Sequence, residues 1–145
     1  MGRHLQAVFR SVKVGILLSW LPMPKSPGKY VDGFVITMPK KNVDAYRKMA
    51  AKGGKLWRKY GALDYKECVI EDVKPKGVVL PFGKLVKAKP SETIVFSYIV
   101  FKNRAHRDAV NAKVMKDPSM NMEMDEMPFD MKRMSYGGFE VLVSE

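Results

Sequence analysis

The segment 93–101, Thr-Ile-Val-Phe-Ser-Tyr-Ile-Val-Phe, constrains the fold more than any other part of this sequence. Apolar and aromatic residues occupy both sets of alternating positions, and Ser97 is the exception inside the segment. A period of two predicts a β-strand, and a strand that is apolar on both faces is typical of the centre of a covered sheet. The chain must therefore supply or recruit a layer on each face of this strand.

Three further strands and two helices are predicted from similar patterns. Apolar and polar residues alternate along the stretch that ends before Pro39 and along the last part of the chain. The strand after Gly61 carries both apolar and polar residues on each of its faces. Asn42 and Asn103 are the predicted N-caps, and Gly61 and Pro118 mark where the helices end. The predicted strands are 30–38, 63–73, 93–101 and 134–143, and the predicted helices are 43–60 and 104–117.

The first predicted helix carries one apolar stripe, at spacings of four, three, four and three residues. The stripe consists of Tyr46, Ala50, Gly53, Trp57 and Tyr60. Gly53 and Gly54 inside the helix cost roughly 1 kcal/mol each relative to alanine. We expect a close approach of this helix to the sheet to compensate for that cost.

The order strand, helix, strand, strand, helix, strand predicts the ferredoxin-like βαββαβ arrangement of the α+β class. Right-handed crossovers place both helices on one face of a four-stranded antiparallel sheet, with the first strand between the third and the fourth. The residues assigned to the helix side are Val31, Gly33, Val35, Val95, Ser97, Ile99, Phe139 and Val141. Those assigned to the open face are Asp32, Phe34, Phe96, Tyr98, Met134 and Tyr136. Because an open face this rich in aromatic residues would be adhesive, we expect a second copy to cover it in a homodimer, a dimeric α+β barrel.

Several motifs resemble the YbaA-like bacterial family of unknown function. They are Tyr30-Val-Asp-Gly-Phe34, Asp44-Ala-Tyr-Arg-Lys-Met-Ala-Ala-Lys52, Tyr60-Gly-Ala-Leu63, Glu67-Cys68, Val95-Phe-Ser97 and Met127-Pro-Phe-Asp-x-Lys-Arg-Met-x-Tyr-Gly-Gly-Phe-Glu140. The resemblance covers nearly all of 29–145. It implies a dimeric α+β barrel, similar in shape to small antibiotic-biosynthesis-type monooxygenases and to haem- and chlorite-handling relatives, and it implies no activity.

Asp32, Tyr98 and Tyr136 are the candidate catalytic residues, on three adjacent strands of the predicted open face. A carboxylate enclosed by aromatic rings can act as a general base beside phenolic donors. The predicted pocket is lined by Phe34, Phe96 and Met134. The predicted function is the binding of a small aromatic or carboxylated metabolite, with cofactor-free oxygenase or isomerase chemistry as its catalytic form. The alternative is that these residues fill the dimer core, with Asp32 paired to a lysine or an arginine.

The basic charge supports a second hypothesis, nucleic-acid binding. The chain has 26 Lys and Arg against 15 Asp and Glu, which gives a net charge of +11. The connection 74–89 contains lysines and no acidic residue, and its candidate phosphate contacts are Lys74, Lys76, Lys84 and Lys87. No aromatic RNA-binding motif marks a strand, so we expect weak, sequence-independent binding and take a solvated basic loop as the simpler interpretation.

No metal site and no cofactor are predicted. Cys68 is the single cysteine, which excludes an intrachain disulfide and a zinc site of the Cys/His type. A haem-ligand role for His106 and a copper site at Met120-x-Met-x-Met124 are weaker interpretations than packing.

Residues 1–28 are predicted to lie outside the domain 29–145. They are basic and contain the apolar run 14–21, which is far shorter than the roughly 20 residues of a membrane span. A start at Met23 or a targeting segment would each explain this extension. We expect a cytoplasmic protein with no membrane association.

Overall fold

The computed structural model describes residues 30–121 and 123–145. The predicted extension 1–28 lies outside the described residues. The strands and helices all fall within one compact unit, Gly28–Val141. None of the helices in the described part of the chain is long and apolar enough to cross a membrane.

Four antiparallel strands form one sheet in the order β2-β3-β1-β4. The strands are β1 (Tyr30–Pro39), β2 (Asp64–Val69), β3 (Glu92–Phe101) and β4 (Ser135–Glu140). The helices are α1 (Val43–Lys59), α2 (Phe82–Leu85) and α3 (Arg104–Lys116). Short 3-10 turns occupy Lys40–Asn42, Pro118–Met120, Met124–Glu126 and Met131–Arg133. The predicted ferredoxin-like α+β arrangement is confirmed, with β1 between β3 and β4.

The ends of the two long helices follow the predicted signals, with one exception. Gly61 follows α1 with a φ of +115°, in the left-handed region that favours glycine. The Asn103 side chain caps α3 by accepting a hydrogen bond from the backbone N–H of His106 at 2.7 Å. Asn42 makes no side-chain cap on α1; its Nδ2 donates instead to the carbonyl oxygen of Pro128 at 2.8 Å. Asn42 therefore ties the start of α1 to the loop before β4.

The hydrophobic core lies between the sheet and the helices, in two clusters. The first packs α1 on β1 and β3 and consists of Ile36, Met38, Tyr46, Ala50, Val95 and Phe129. The second involves α3 and consists of Leu56, Ala62, Ile99, Phe101, Val110 and Val114. Val95, Ile99 and Phe101 alternate along β3 and so share a face. Both long helices therefore cover the same face of the sheet.

The strand register corrects the predicted assignment of residues to the two faces. Asp32 lies opposite Ile99, and Phe34 lies opposite Ser97 and Tyr136. Directly opposite residues of antiparallel strands share a face, so these β1 and β4 residues lie on the helix side rather than on the open face. The residues found on the open face are Val31, Gly33, Val35, Phe96, Tyr98 and Phe139. The β3 assignments are thus confirmed, and those for β1 and β4 are inverted.

The second strand is shorter than predicted and ends at Val69. Residues 70–91 connect it to β3 and include α2. This connection exposes several large apolar side chains: Val73, Val78, Val79, Leu80, Phe82 and Leu85.

Candidate functional site

A cavity of about 170 Å³ lies between the helix side of the sheet and α1. Its aromatic lining consists of Phe34, Tyr46, Trp57, Tyr65 and Phe129. Its methionine lining consists of Met49, Met120, Met127 and Met134. Glu67 and Ser97 are polar residues on the sheet wall. An apolar cavity with a few convergent polar groups is the usual form of a small-molecule site.

A larger groove of about 690 Å³ lies between α1 and the edge strand β2. Basic residues of α1 line this outer groove, namely Arg47, Lys55 and Arg58. Four residues line both the groove and the inner cavity: Tyr46, Ala50, Tyr65 and Glu67. These four residues form the wall between the two spaces, so a group bound at Glu67 can extend into either.

Glu67 is the polar centre of this shared wall. Tyr46 donates a hydrogen bond to Oε2 at 2.6 Å, and Tyr65 donates one to Oε1 at 2.7 Å. Two O–H donors on the two oxygens match an ionised carboxylate, which only accepts. Burial and the hydrogen bond to Glu67 raise the pKa of Tyr46, and burial and the negative charge of Glu67 raise the pKa of Tyr65. Both phenols therefore stay protonated and keep donating at neutral pH.

Small residues on the inward side of α1 make room for this arrangement. A Cβ at Gly54 would lie only 2.7 Å from Cδ1 of Tyr65, so a glycine is needed for the ring to reach the helix. This confirms the predicted close approach to the sheet for Gly54, whereas a Cβ at Gly53 would make only ordinary contacts, at 3.6 Å. The rings of Tyr65 and Trp57 then stack, with centroids 6.2 Å apart.

Asp32 is 1% exposed and is held by polar side chains of α3. Nη1 of Arg107 lies 3.4 Å from Oδ1, and Nδ2 of Asn111 donates to Oδ2 at 3.2 Å. Arg107 also donates to the hydroxyl of Tyr136 at 2.5 Å. Oδ1 of Asn111 accepts from Nε1 of Trp57 at 2.9 Å, so this network reaches the wall of the inner cavity. The pairing of Asp32 with an arginine is the alternative that the sequence analysis left open.

The structure brings together two of the three candidate catalytic residues. Tyr136 stands near Asp32 through Arg107, and its ring packs on Phe34 with centroids 4.9 Å apart. Burial, followed by the negative charge of Asp32, raises the pKa of Tyr136. Tyr98 lies on the opposite face of the sheet, so its predicted convergence with Asp32 and Tyr136 is wrong.

The predicted pocket residues divide in the same way. Phe34 and Met134 line the inner cavity. Phe96 is 46% exposed on the open face, beside Tyr98 at a centroid distance of 6.2 Å. Glu67, Tyr46 and Tyr65 were not among the predicted site residues.

The four lysines of the alternative site are exposed in the connection 70–91. Lys87 adopts a φ of +52°, and its carbonyl oxygen accepts a hydrogen bond from Nη2 of Arg133 at 3.1 Å. Arg133 also pairs with Glu92 at 2.5 Å. The end of the connection is therefore anchored to the turn before β4.

His106 takes a packing position, whereas Met122 of the predicted copper site lies outside the described residues. Nδ1 of His106 accepts a hydrogen bond from the backbone N–H of Lys102 at 3.0 Å, and the ring packs on Phe101 with centroids 6.0 Å apart. Cys68 is an exposed free thiol. Within 30–121 and 123–145, no group of three or more His, Cys, Asp or Glu side chains is placed to hold a metal ion.

The fold and the cavity define a small α+β protein of the ferredoxin-like class. A solved structure described as a dimeric ferredoxin-like protein from an uncultured marine organism has this fold, with a TM-score of 0.51 at 12% identity over 81% of this chain and 99% of that chain. The chain belongs to the family described as "Protein of unknown function (DUF1428)", whose model matches residues 29–131. It is 50% identical over 117 residues to the uncharacterized protein YbaA of Escherichia coli (strain K12), and equally to that of Shigella flexneri. The match covers 81% of this chain and 99% of each relative, which confirms the YbaA-like resemblance.

Proposed function

We propose that this chain binds a small molecule in the inner cavity and that Glu67 is the polar contact of the ligand. The observation that carries the proposal is one carboxylate with two phenol donors in a cavity otherwise lined mainly by aromatic, methionine and aliphatic side chains. In sites of this kind, apolar walls supply affinity and a few fixed polar groups supply orientation. Glu67 thus takes the role that the sequence analysis predicts for Asp32, because Glu67 lines the cavity whereas Asp32 is paired with Arg107.

The ligand we propose is a small aromatic or carboxylated metabolite. A cavity of about 150 Å³ is known to accept benzene, so the inner cavity of about 170 Å³ has room for one ring. The rest of the ligand would occupy the outer groove. Lys55 supplies positive charge there for a carboxylate.

The catalytic form of this proposal is proton transfer without a cofactor. Glu67 would accept a proton from an activated C–H bond of the ligand, and the hydroxyl of Tyr46 or Tyr65 would turn from Glu67 to donate its hydrogen bond to the ligand oxygen that gains negative charge. An isomerase and a cofactor-free oxygenase share this first step.

We also propose a homodimer through the open face of the sheet. Phe96 and Phe139 are 46% and 59% exposed there, and Tyr98 lies beside them. The solved structure of the same fold is described as dimeric, which supports this assembly. Phe34, which the sequence analysis placed in the interface, faces the helices instead.

A cavity-filling substitution tests the small-molecule site. Ser97 is 4% exposed and lines the inner cavity, so Ser97→Leu should fill that space without unfolding the protein. A screen of aromatic and carboxylated metabolites by thermal shift should find compounds that stabilise the unaltered chain and the exposed control Ser91→Leu, but not Ser97→Leu. Compounds that stabilise all three proteins equally would place the binding site elsewhere.

The exposed lysines of the connection 70–91 favour nucleic acid as the second candidate ligand. Each lost phosphate contact should reduce the slope of log K against log salt by about 0.9 for duplex DNA. We expect only weak binding, removed near physiological salt. Submicromolar binding at physiological salt that disappears in the combined Lys74, Lys76, Lys84 and Lys87→Gln variant would favour this second function over the first.

A further inference from the structure

Glu67 differs from the other sheltered carboxylates of the described chain in having no cationic partner. Five carboxylates in 30–121 and 123–145 are buried or half-buried: Asp32, Asp64, Glu67, Glu92 and Asp117. Four of them lie within 4 Å of a lysine or arginine. Among the described residues, Glu67 takes part in no such ion pair and is held by two neutral phenols instead. In a chain with 26 basic and 15 acidic residues, an unpaired sheltered carboxylate stands out.

Two of the three basic residues that line the outer groove are engaged elsewhere, and the third, Lys55, lies in no ion pair with Glu67 among the described residues. Arg47 pairs with Asp44 at 2.7 Å. Arg58 donates hydrogen bonds to the carbonyl oxygens of Ala62 and Leu63. Neither arginine supplies the positive charge that usually accompanies a sheltered carboxylate.

Glu67 also keeps unused hydrogen-bonding capacity. A carboxylate has about four acceptor sites, and the two tyrosines occupy one on each oxygen. A donor that arrives from the cavity or from the groove can therefore bind Glu67 without displacing either tyrosine.

Most of the side chains around Glu67 suit a positive charge, with Lys52 as the exception among the residues that line the inner cavity. Trp57, Tyr65 and Tyr46 present aromatic rings within the same cavity, and ring faces attract organic cations. The methionine thioethers are polarisable and adapt to ligands of different shape. Together these groups give an aromatic enclosure with one carboxylate at its centre.

We propose that the ligand presents an ammonium group to Glu67, carried on an aromatic or aliphatic body that occupies the inner cavity. This inference rests on the proposed small-molecule function and specifies the chemical class of its ligand. The ammonium group would complete the ion pair that the chain itself does not supply to Glu67. Its body would contact the rings and the thioethers.

Three probes with one ring and different charges test the inference: benzylammonium, benzyl alcohol and benzoate. Spectra of the unaltered protein with ¹³C-labelled methionine methyl groups would report binding, since Met49, Met120, Met127 and Met134 line the cavity. We expect benzylammonium to bind about tenfold or more tightly than benzyl alcohol, because a charge-assisted hydrogen bond is stronger than a neutral one. Benzoate should bind most weakly, although the net charge of +11 would attract it.

Glu67→Gln should reduce the difference in affinity between benzylammonium and benzyl alcohol to less than about twofold. The matched control is Glu71→Gln, the same substitution at an exposed carboxylate that lines neither the groove nor the inner cavity. This control should keep the preference for the cation. If Glu67→Gln fails to fold, the order of affinity of the three probes for the unaltered protein still tests whether the site prefers an ammonium group.

Two outcomes would overturn the inference in different ways. Binding of benzyl alcohol or benzoate as tight as that of benzylammonium would reject the ammonium ligand and leave the small-molecule site in place. Unchanged methionine signals with all three probes would count against both proposals.

Discussion

Asp32 and Glu67 lie on the same face of one sheet and are stabilised in different ways. Asp32 takes Arg107 and Asn111 from α3, whereas Glu67 takes two tyrosines. The partner of Asp32 lies far along the sequence, so alternation in β1 cannot reveal it. Glu67 is missed because both faces of β2 are mixed in sequence. Two signals in the sequence point to Glu67. It follows Tyr65 by two residues and so shares a strand face with that ring, and the helix that packs on this face carries the small residues Gly53 and Gly54.

Removing the Asp32 carboxylate should be strongly destabilising. Asp32→Ala leaves the largely buried charge of Arg107 without its buried partner, which costs about 3–5 kcal/mol. Asp108→Ala removes a more exposed partner of the same arginine and should cost under about 1 kcal/mol. Urea unfolding of both variants measures the difference. Equal losses in the free energy of unfolding would show that the buried pair of Asp32 and Arg107 stabilises the protein no more than the exposed pair does.

The elements themselves could be predicted, whereas their orientation could not. Periodicity locates all four strands and both long helices, since it depends on local alternation and on capping residues such as Asn103 and Gly61. Alternation shows which residues share a face and leaves open which face the helices cover. In β1 that choice depends on Asp32, whose burial becomes favourable only with Arg107 opposite. The inner cavity likewise depends on how α1 and the loop before β4 pack.

The start of α3 should make stability depend on pH through His106. Burial, and then the positive charges of Lys102 and Lys113, lower the pKa of His106 below 6.5 in the folded state. The unfolded chain therefore binds more protons in the window between the folded pKa and 6.5. The contribution of neutral His106 to the free energy of unfolding is complete above pH 6.5 and is lost as the pH falls through the folded pKa. The free energy of unfolding changes over this window by no more than about 1.4 kcal/mol per pH unit.

Urea unfolding at several pH values between 7.5 and 5 measures this dependence. His106→Gln should flatten the curve in that window. His4→Gln, at the other histidine of the chain, should leave it unchanged. A curve that keeps its slope in His106→Gln would assign the dependence to another group.

The whole molecule, as proposed, is a dimer whose two sheets face each other. Phe96→Asp would place a charge in that interface and should give monomers or unfolded chains. The control Ala105→Asp adds the same charge to an exposed position on α3 and should remain dimeric. Light scattering at micromolar concentration separates the two outcomes. A stable monomer of the unaltered protein would contradict the dimer.

The central claim is that the ligand site lies between the sheet and α1. Nuclear Overhauser effects between a bound ligand and assigned side-chain protons test it most directly. For any compound found by the thermal-shift screen, we predict contacts to the methyl groups of Met49, Met120, Met127 and Met134 and to the ring of Trp57. Contacts to Tyr98 and Phe139 on the open face, with none to these methionines, would contradict the claim.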